Sequence, residues 1–259
     1  MALSLPHPSQ NKILSTLTYF DKYDYPLTKA ELEYWSGAPV RSSRKYYFLP
    51  GRLHLVQLRK QRAKFSQAKW EIAREVGEQL KKFPTIAAIF VTGALAMNNC
   101  PKDDDIDLMI VTYPNCLWIT RFFVNLYLHQ TRRFPKQSRA PNKLCPNLWL
   151  DLNNLLIMHN HSLYTAHEIL QAQALWDRAG VHHQFITQNS WIEEYLPIAY
   201  IETLKNLKLI KNFKFKIENL ILWPVNAVFF LAQYVYMWPK KTTERVRLGY
   251  AFFHPKGKN

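Results

Sequence analysis

Hydrophobic positions along this chain follow two kinds of pattern. Residues 86–92 (IAAIFVT) and 106–112 (IDLMIVT) are short, β-branched and almost unbroken apolar runs, the length and composition of buried strands. Residues 145–150 (CPNLWL) predict a third strand, and alternation along it places Asn147, Trp149 and Asp151 on one face. Elsewhere the repeat is helical. Residues 57–82 read as one long helix with Phe65, Ile72, Val76 and Leu80 roughly on one side, ended by Pro84, and residues 117–134 as another. Before them, residues 10–36 predict two short helices around Tyr25-Pro26, with Thr28 and Glu31 as a capping box that starts the second and buries Leu32 and Trp35. Residues 46–49 and 53–56 flank Pro50-Gly51-Arg52 as a small hairpin. Beyond Leu155 three helices follow, one capped by Thr165 with Glu168 and running through Ala174, one from Asn189 or Ser190 through Tyr195, and one over 198–212.

Few strands among many helices predict an α+β fold, a small sheet flanked by helices. Three parts are expected: residues 1–83, a helical and hairpin module with a long connecting helix; residues 84–154, the α/β core; and residues 155–259, a C-terminal helical lobe. Residues 217–238 (IENLILWPVNAVFFLAQYVYMW) are nearly long enough to span a bilayer, but Glu218, Asn219, Pro224, Asn226 and Gln233 interrupt them. A buried helix of the C-terminal lobe is the expectation, with membrane-surface contact through its aromatic side as the alternative.

Chemistry is concentrated between the first two strands. Gly93-Ala94 closes the first run, and a residue without a side chain lets backbone N–H groups approach a phosphate. Asp105 and Asp107 lead into the second run, and their i, i+2 spacing projects both carboxylates to one face while Ile106 turns to the core. Carboxylates so close repel unless a cation lies between them, and their hard oxygens suit Mg²⁺ or Mn²⁺.

The order Gly93-Ala94, a ten-residue spacer, then Asp105-Ile106-Asp107 on a strand resembles the signature of the polymerase-beta-like nucleotidyltransferase superfamily. FDKYDYPLT, YYFLPGR, SLYTAHEI and the terminal FFHP look like a bacterial branch of it that carries an N-terminal winged-helix-like module. The resemblance implies transfer of a nucleoside monophosphate from a nucleoside triphosphate to an acceptor, which is a small molecule, RNA or a protein. It also implies that Asp105 and Asp107 hold the metal and act in catalysis, while Gly93 and Ala94 cradle the triphosphate. Thr92 offers a hydroxyl beside the cradle, although one position earlier it leaves the strand on the other face, and Arg121, one turn into the next helix, is expected to reach a phosphate. Two departures stand out. Ala94 replaces the usual Ser, and Asn147 stands where a third carboxylate is expected on the neighbouring strand, an amide that cannot act as a base. They favour, as an alternative, a nucleotide-binding regulatory module with little activity.

Charge widens the list of partners. A net charge of +15 and a pI near 9.7 point to polyanions, so a basic protein that binds nucleic acid or a membrane surface is the third alternative. The basic run Arg59, Lys60, Arg62, Lys64 and Lys69 reads as a solvated helix face, and residues 132–143 as a basic loop. Cys100, Cys116 and Cys145 lack metal-ligand spacing and suit reduced thiols in the cytoplasm, and no signal-peptide pattern opens the chain. His159, His161, His182 and His183 lack the spacing of a zinc site.

Overall fold

The computed structural model describes residues 8–133, 140–178, 180–207, 219–240 and 243–253. Helices α1 (Pro8–Asp21), α2 (Lys29–Ser36) and α3 (Leu55–Leu80) lead into β1 (Ile86–Val91), the short α4 (Gly93–Ala96) and β2 (Ile106–Thr112). Helix α5 (Leu117–Tyr127), β3 (Leu144–Asp151), α6 (Leu163–Gln171), β4 (Gln173–Asp177), α7 (Val181–Gln188) and α8 (Pro197–Asn206) follow, then α9 (Asn219–Met237), β5 (Arg245–Arg247) and β6 (Tyr250–Phe252). The fold is α+β, with one mixed sheet in the order β4-β1-β2-β3-β6-β5. Only β2 and β3 pair in parallel, and the other neighbours are antiparallel.

Both faces of the sheet are covered, which is why its central strands read as unbroken apolar runs. Ala88, Phe90, Met109, Val111 and Leu150 pack against Phe20, Trp35, Ile169 and Phe185 from α1, α2, α6 and α7. Alternate residues Ile89, Val91, Leu108, Ile110 and Trp149 face Ala73 and Leu80 of α3, and Trp118 and Val124 of α5. The first helices and the last ones of the α6–α8 series thus share a single apolar cluster on one side of the sheet.

Several expectations need correction. The capping box at Thr28 and Glu31 forms as expected, and Leu32 and Trp35 are buried. No hairpin follows it: Gly51 turns the chain at φ +80°, α3 begins at Leu55, and Tyr47 instead bridges to Leu27. Arg52, expected at the hairpin tip, bonds Asp21 and Asp24 at the end of α1. The helix at 165–174 starts earlier, because Ser162 and not Thr165 accepts the capping N–H, and it stops at Gln171. Residues 173–177 form the unexpected edge strand β4. It is short, and no Gly or Pro separates it from the helix, so the repeat ran on past the boundary. The basic side of α3 is not all solvated. Arg59 makes paired bonds to Glu31, and buried Lys69 donates to Asp104 O, Lys102 O and Asn142 Oδ1, which fixes the acidic turn before β2.

Of the apolar 217–238 segment, the described side chains from Leu222 onward are only partly buried. Its described part, α9, packs one side on α5 and leaves the other in solvent, contrary to the expected internal helix. No helix among the described residues is long and apolar enough to cross a membrane. Residues 134–139 of the basic loop, 208–212 of the last expected helix, and His254 and Pro255 lie outside the described residues.

Candidate functional site

The site is built where β1 ends and β2 begins. Antiparallel pairing carries Val91 opposite Leu108, and Thr92 N–H donates to Asp107 O at 3.1 Å, so the turn at Gly93 closes directly over the acidic pair. Gly93 has φ +63°, a backbone that side chains rarely tolerate, and a Cβ placed on it would lie 2.6 Å from Asp107 Oδ2. Glycine is therefore needed twice, for the turn and for the contact with the carboxylate.

Asp105, Asp107 and Cys145 each present a donor atom within 4.8 Å of the others, Cys145 by pairing with Asp107 across the parallel β2/β3 ladder. Burial and then the negative charges of Asp105, Asp104 and Glu168 hold the Asp107 carboxyl well above the ordinary carboxylate range. Burial, followed by Asp107 and Asp105, also pushes the Cys145 thiol up, so a protonated thiol faces the pair. Arg133 Nη1 bonds Asp105 Oδ2 at 2.9 Å, and Asn147 Nδ2 donates to Asp107 Oδ1. Asp105, Asp107 and Cys145 together could hold a metal ion, and a cation taken up by the two carboxylates would displace Arg133 from Asp105 or share it.

The residues expected around this pair separate into two groups. Gly93 and Thr92 adjoin it, Thr92 buried and bonded through its backbone, and Ala94 follows in α4 with its carbonyl accepting from Asn99 N–H. Arg121 does not reach it. Residues 105 and 107 sit at the start of β2, whereas α5 begins beyond its far end, after Thr112. The Arg121 guanidinium lies 4.3 Å from the Phe253 ring centroid, bonds Gln233 Oε1 at 2.6 Å and is pushed down to about 9 by burial, with Arg132 adding to the shift. Asp151 is also remote: it pairs with Thr112 at the other end of the ladder and accepts from Asn153 N and Asn154 Nδ2.

Four further residues enter the site that the strand pattern did not assign to it. Glu168, in α6, lies close enough for its charge to act on Asp107, Tyr19, Tyr23 and Tyr164. Among the described residues its carboxylate accepts no hydrogen bond and makes no ion pair, and burial pushes it up to about 7. Tyr19 and Tyr23 pack 5.4 Å apart at the end of α1, and Tyr23 and Tyr164 are about half exposed. The charge of Asp107 also acts on Tyr164. A groove lined by Leu14, Thr18, Tyr19, Lys22 and Leu163 lies between α1 and the start of α6. The helical period had placed Glu168 only as a cap, because proximity to Asp107 arises through the sheet and not along the chain.

No family model matches the chain, and neither a curated protein nor a solved structure matches it.

Proposed function

We propose that the chain is a divalent-cation-dependent nucleotidyltransferase, which moves a nucleoside monophosphate from a nucleoside triphosphate to an acceptor hydroxyl or amine. The observation that carries this reading is the turn at Gly93 lying against Asp107, with Asp105 beside it. A cation held by the pair would neutralise the triphosphate and stabilise the departing pyrophosphate. Gly93 leaves the triphosphate room to approach, since any side chain there would meet the Asp107 carboxylate first. Tyr23 and Tyr164 offer exposed rings on which a base or sugar can stack. The acceptor enters from the groove beside Tyr19, and its proton passes to Glu168 Oε as the oxygen or nitrogen bonds to the α-phosphorus and pyrophosphate leaves. Incubation with each labelled nucleoside triphosphate, Mg²⁺ or Mn²⁺ and a cell extract is expected to release pyrophosphate and label one acceptor class. Without release under any of these conditions, the transferase reading fails.

A second reading rests on Asn147, an amide bonded to Asp107 where a third strand carboxylate would stand. It makes the chain a nucleotide-binding module without transfer, and nucleotide binding without pyrophosphate release would select it.

Glu168→Gln separates a proton-accepting role from a structural one. The variant is expected to keep nucleotide binding and lose about 10²-fold in transfer. Its stability has a distinct signature. The folded pKa, about 7, lies above the unfolded carboxylate value, so the natural protein gains stability as pH falls from about 8 to 5 by taking up a proton. Glutamine has no such proton to gain. The variant should therefore be more stable than the natural protein at pH 8, by ~1–2 kcal/mol, and the difference should vanish near pH 5. Thermal melts across this range that show no such convergence would remove Glu168 from the cleft.

A further inference from the structure

Helix α9 is amphipathic the wrong way round for a helix that faces water. Its polar residues Asn226 and Gln233 point inward: Asn226 Oδ1 accepts from Trp118 N at 2.8 Å, and Gln233 bridges Trp118 O and Arg121 Nη1. Its outward side is apolar. Trp223, Val228, Leu231, Val235, Tyr236 and Trp238 are each more than half exposed, and Val228, Leu231 and Val235 form one stripe at helical spacing. Residues 222–239 contain no charged side chain. Phe122 and Phe123 of α5, whose rings touch Phe229, continue the face along the neighbouring helix. A contiguous apolar surface of this size on an otherwise charged protein marks a place of association.

We infer that this α5/α9 face is a membrane-docking surface that lies on an anionic lipid bilayer. Charge chooses this occupant over a second copy of the chain. Each copy carries a net +15, so pairing two would set like charges together, whereas an anionic surface is complementary. Arg245 and Arg247 are exposed on β5, which flanks α9: Val246 between them packs in one cluster with Phe229, Phe230 and Met237. Trp223 and Trp238 stand at the two ends of the apolar stripe, and indole rings favour the boundary between headgroup and chain. The inner side is committed to Trp118 and Arg121, so the helix lies along the surface and does not cross it. This inference does not depend on nucleotide chemistry, since the face is built on α5 and α9 and the acidic pair at the other end of β2.

Flotation of the full chain with phosphatidylcholine vesicles, with and without phosphatidylglycerol, tests it. The protein is expected to float with the anionic vesicles, to be left behind by the neutral ones, and to show blue-shifted tryptophan emission when bound. Leu231→Glu with Val235→Glu changes two exposed positions and should keep the fold, as read by circular dichroism, while weakening partition about tenfold or more. The variant's response to Mg²⁺ and nucleotide should be unchanged, which separates failure here from failure of the transferase reading. Absence of flotation, equal binding to neutral vesicles, or undiminished flotation of the variant would each overturn the inference. So would a dimer that forms without lipid and is broken by the same two substitutions, since a second copy would then cover the face.

Discussion

Asp107→Asn is expected to remove most of the rise in melting temperature that Mg²⁺ with a nucleoside triphosphate gives the natural protein. Ligand at one hundred times its dissociation constant stabilises a fold by about 2.7 kcal/mol, which for a chain of this size is on the order of 5–10 °C. That gain requires a cation, because a triphosphate and two carboxylates repel without one. Asparagine keeps the shape of residue 107 and can still accept the Asn147 hydrogen bond, but it halves the charge that Asp105 and Asp107 offer together. The unliganded variant should be no less stable than the natural protein. Burial and the charges of Asp105, Asp104 and Glu168 all disfavour the ionised Asp107, and the amide escapes that penalty. The expected result is thus a baseline melting temperature that holds or rises, together with a ligand response that is lost. A folded variant whose metal-dependent shift equals that of the natural protein would show that the acidic pair does not hold the cation.

The acidic pair was legible in the sequence because every step that places it is local. The two apolar runs announce β1 and β2, the i, i+2 spacing sets both carboxylates on one side, and Gly93 marks the turn, so the antiparallel pairing of neighbours in sequence completes the arrangement. Glu168, Tyr23 and Tyr164 could not be placed by the same means, since α1 and α6 reach the site only by packing on one face of the sheet. Their segments, FDKYDYPLT and SLYTAHEI, are two of the four stretches outside the motif that resemble the superfamily branch, and that was the available signal. Arg121 was misplaced for a related reason. A helix following a strand invites a phosphate at its start, but β2 enters the site with its first residues and delivers α5 at its last. The outer face of α9 was hidden by its composition, because Asn226 and Gln233 read as interruptions of an apolar face when they are in fact its inner anchors.

Gly93→Ala carries the second large effect, and a double-mutant cycle divides it into its causes. The left-handed backbone at φ +63° disfavours any Cβ by about 1–2 kcal/mol, wherever the side chain points. A further cost is specific to this site. The new methyl would begin 2.6 Å from Asp107 Oδ2, closer than atoms can approach, so the carboxylate must move off Asn147 or the turn must shift away from β2. The total expected is ~2–4 kcal/mol, visible as a fall in melting temperature together with loss of the nucleotide response. In an Asp107→Ala background the oxygen is gone, and Gly93→Ala should cost only the backbone part, ~1–2 kcal/mol. The two substitutions are therefore expected to couple by ~1–2 kcal/mol, within the range of residues in direct contact. If Gly93→Ala costs the same in both backgrounds, the turn does not rest on the carboxylate, and the observation that carries the transferase reading is withdrawn.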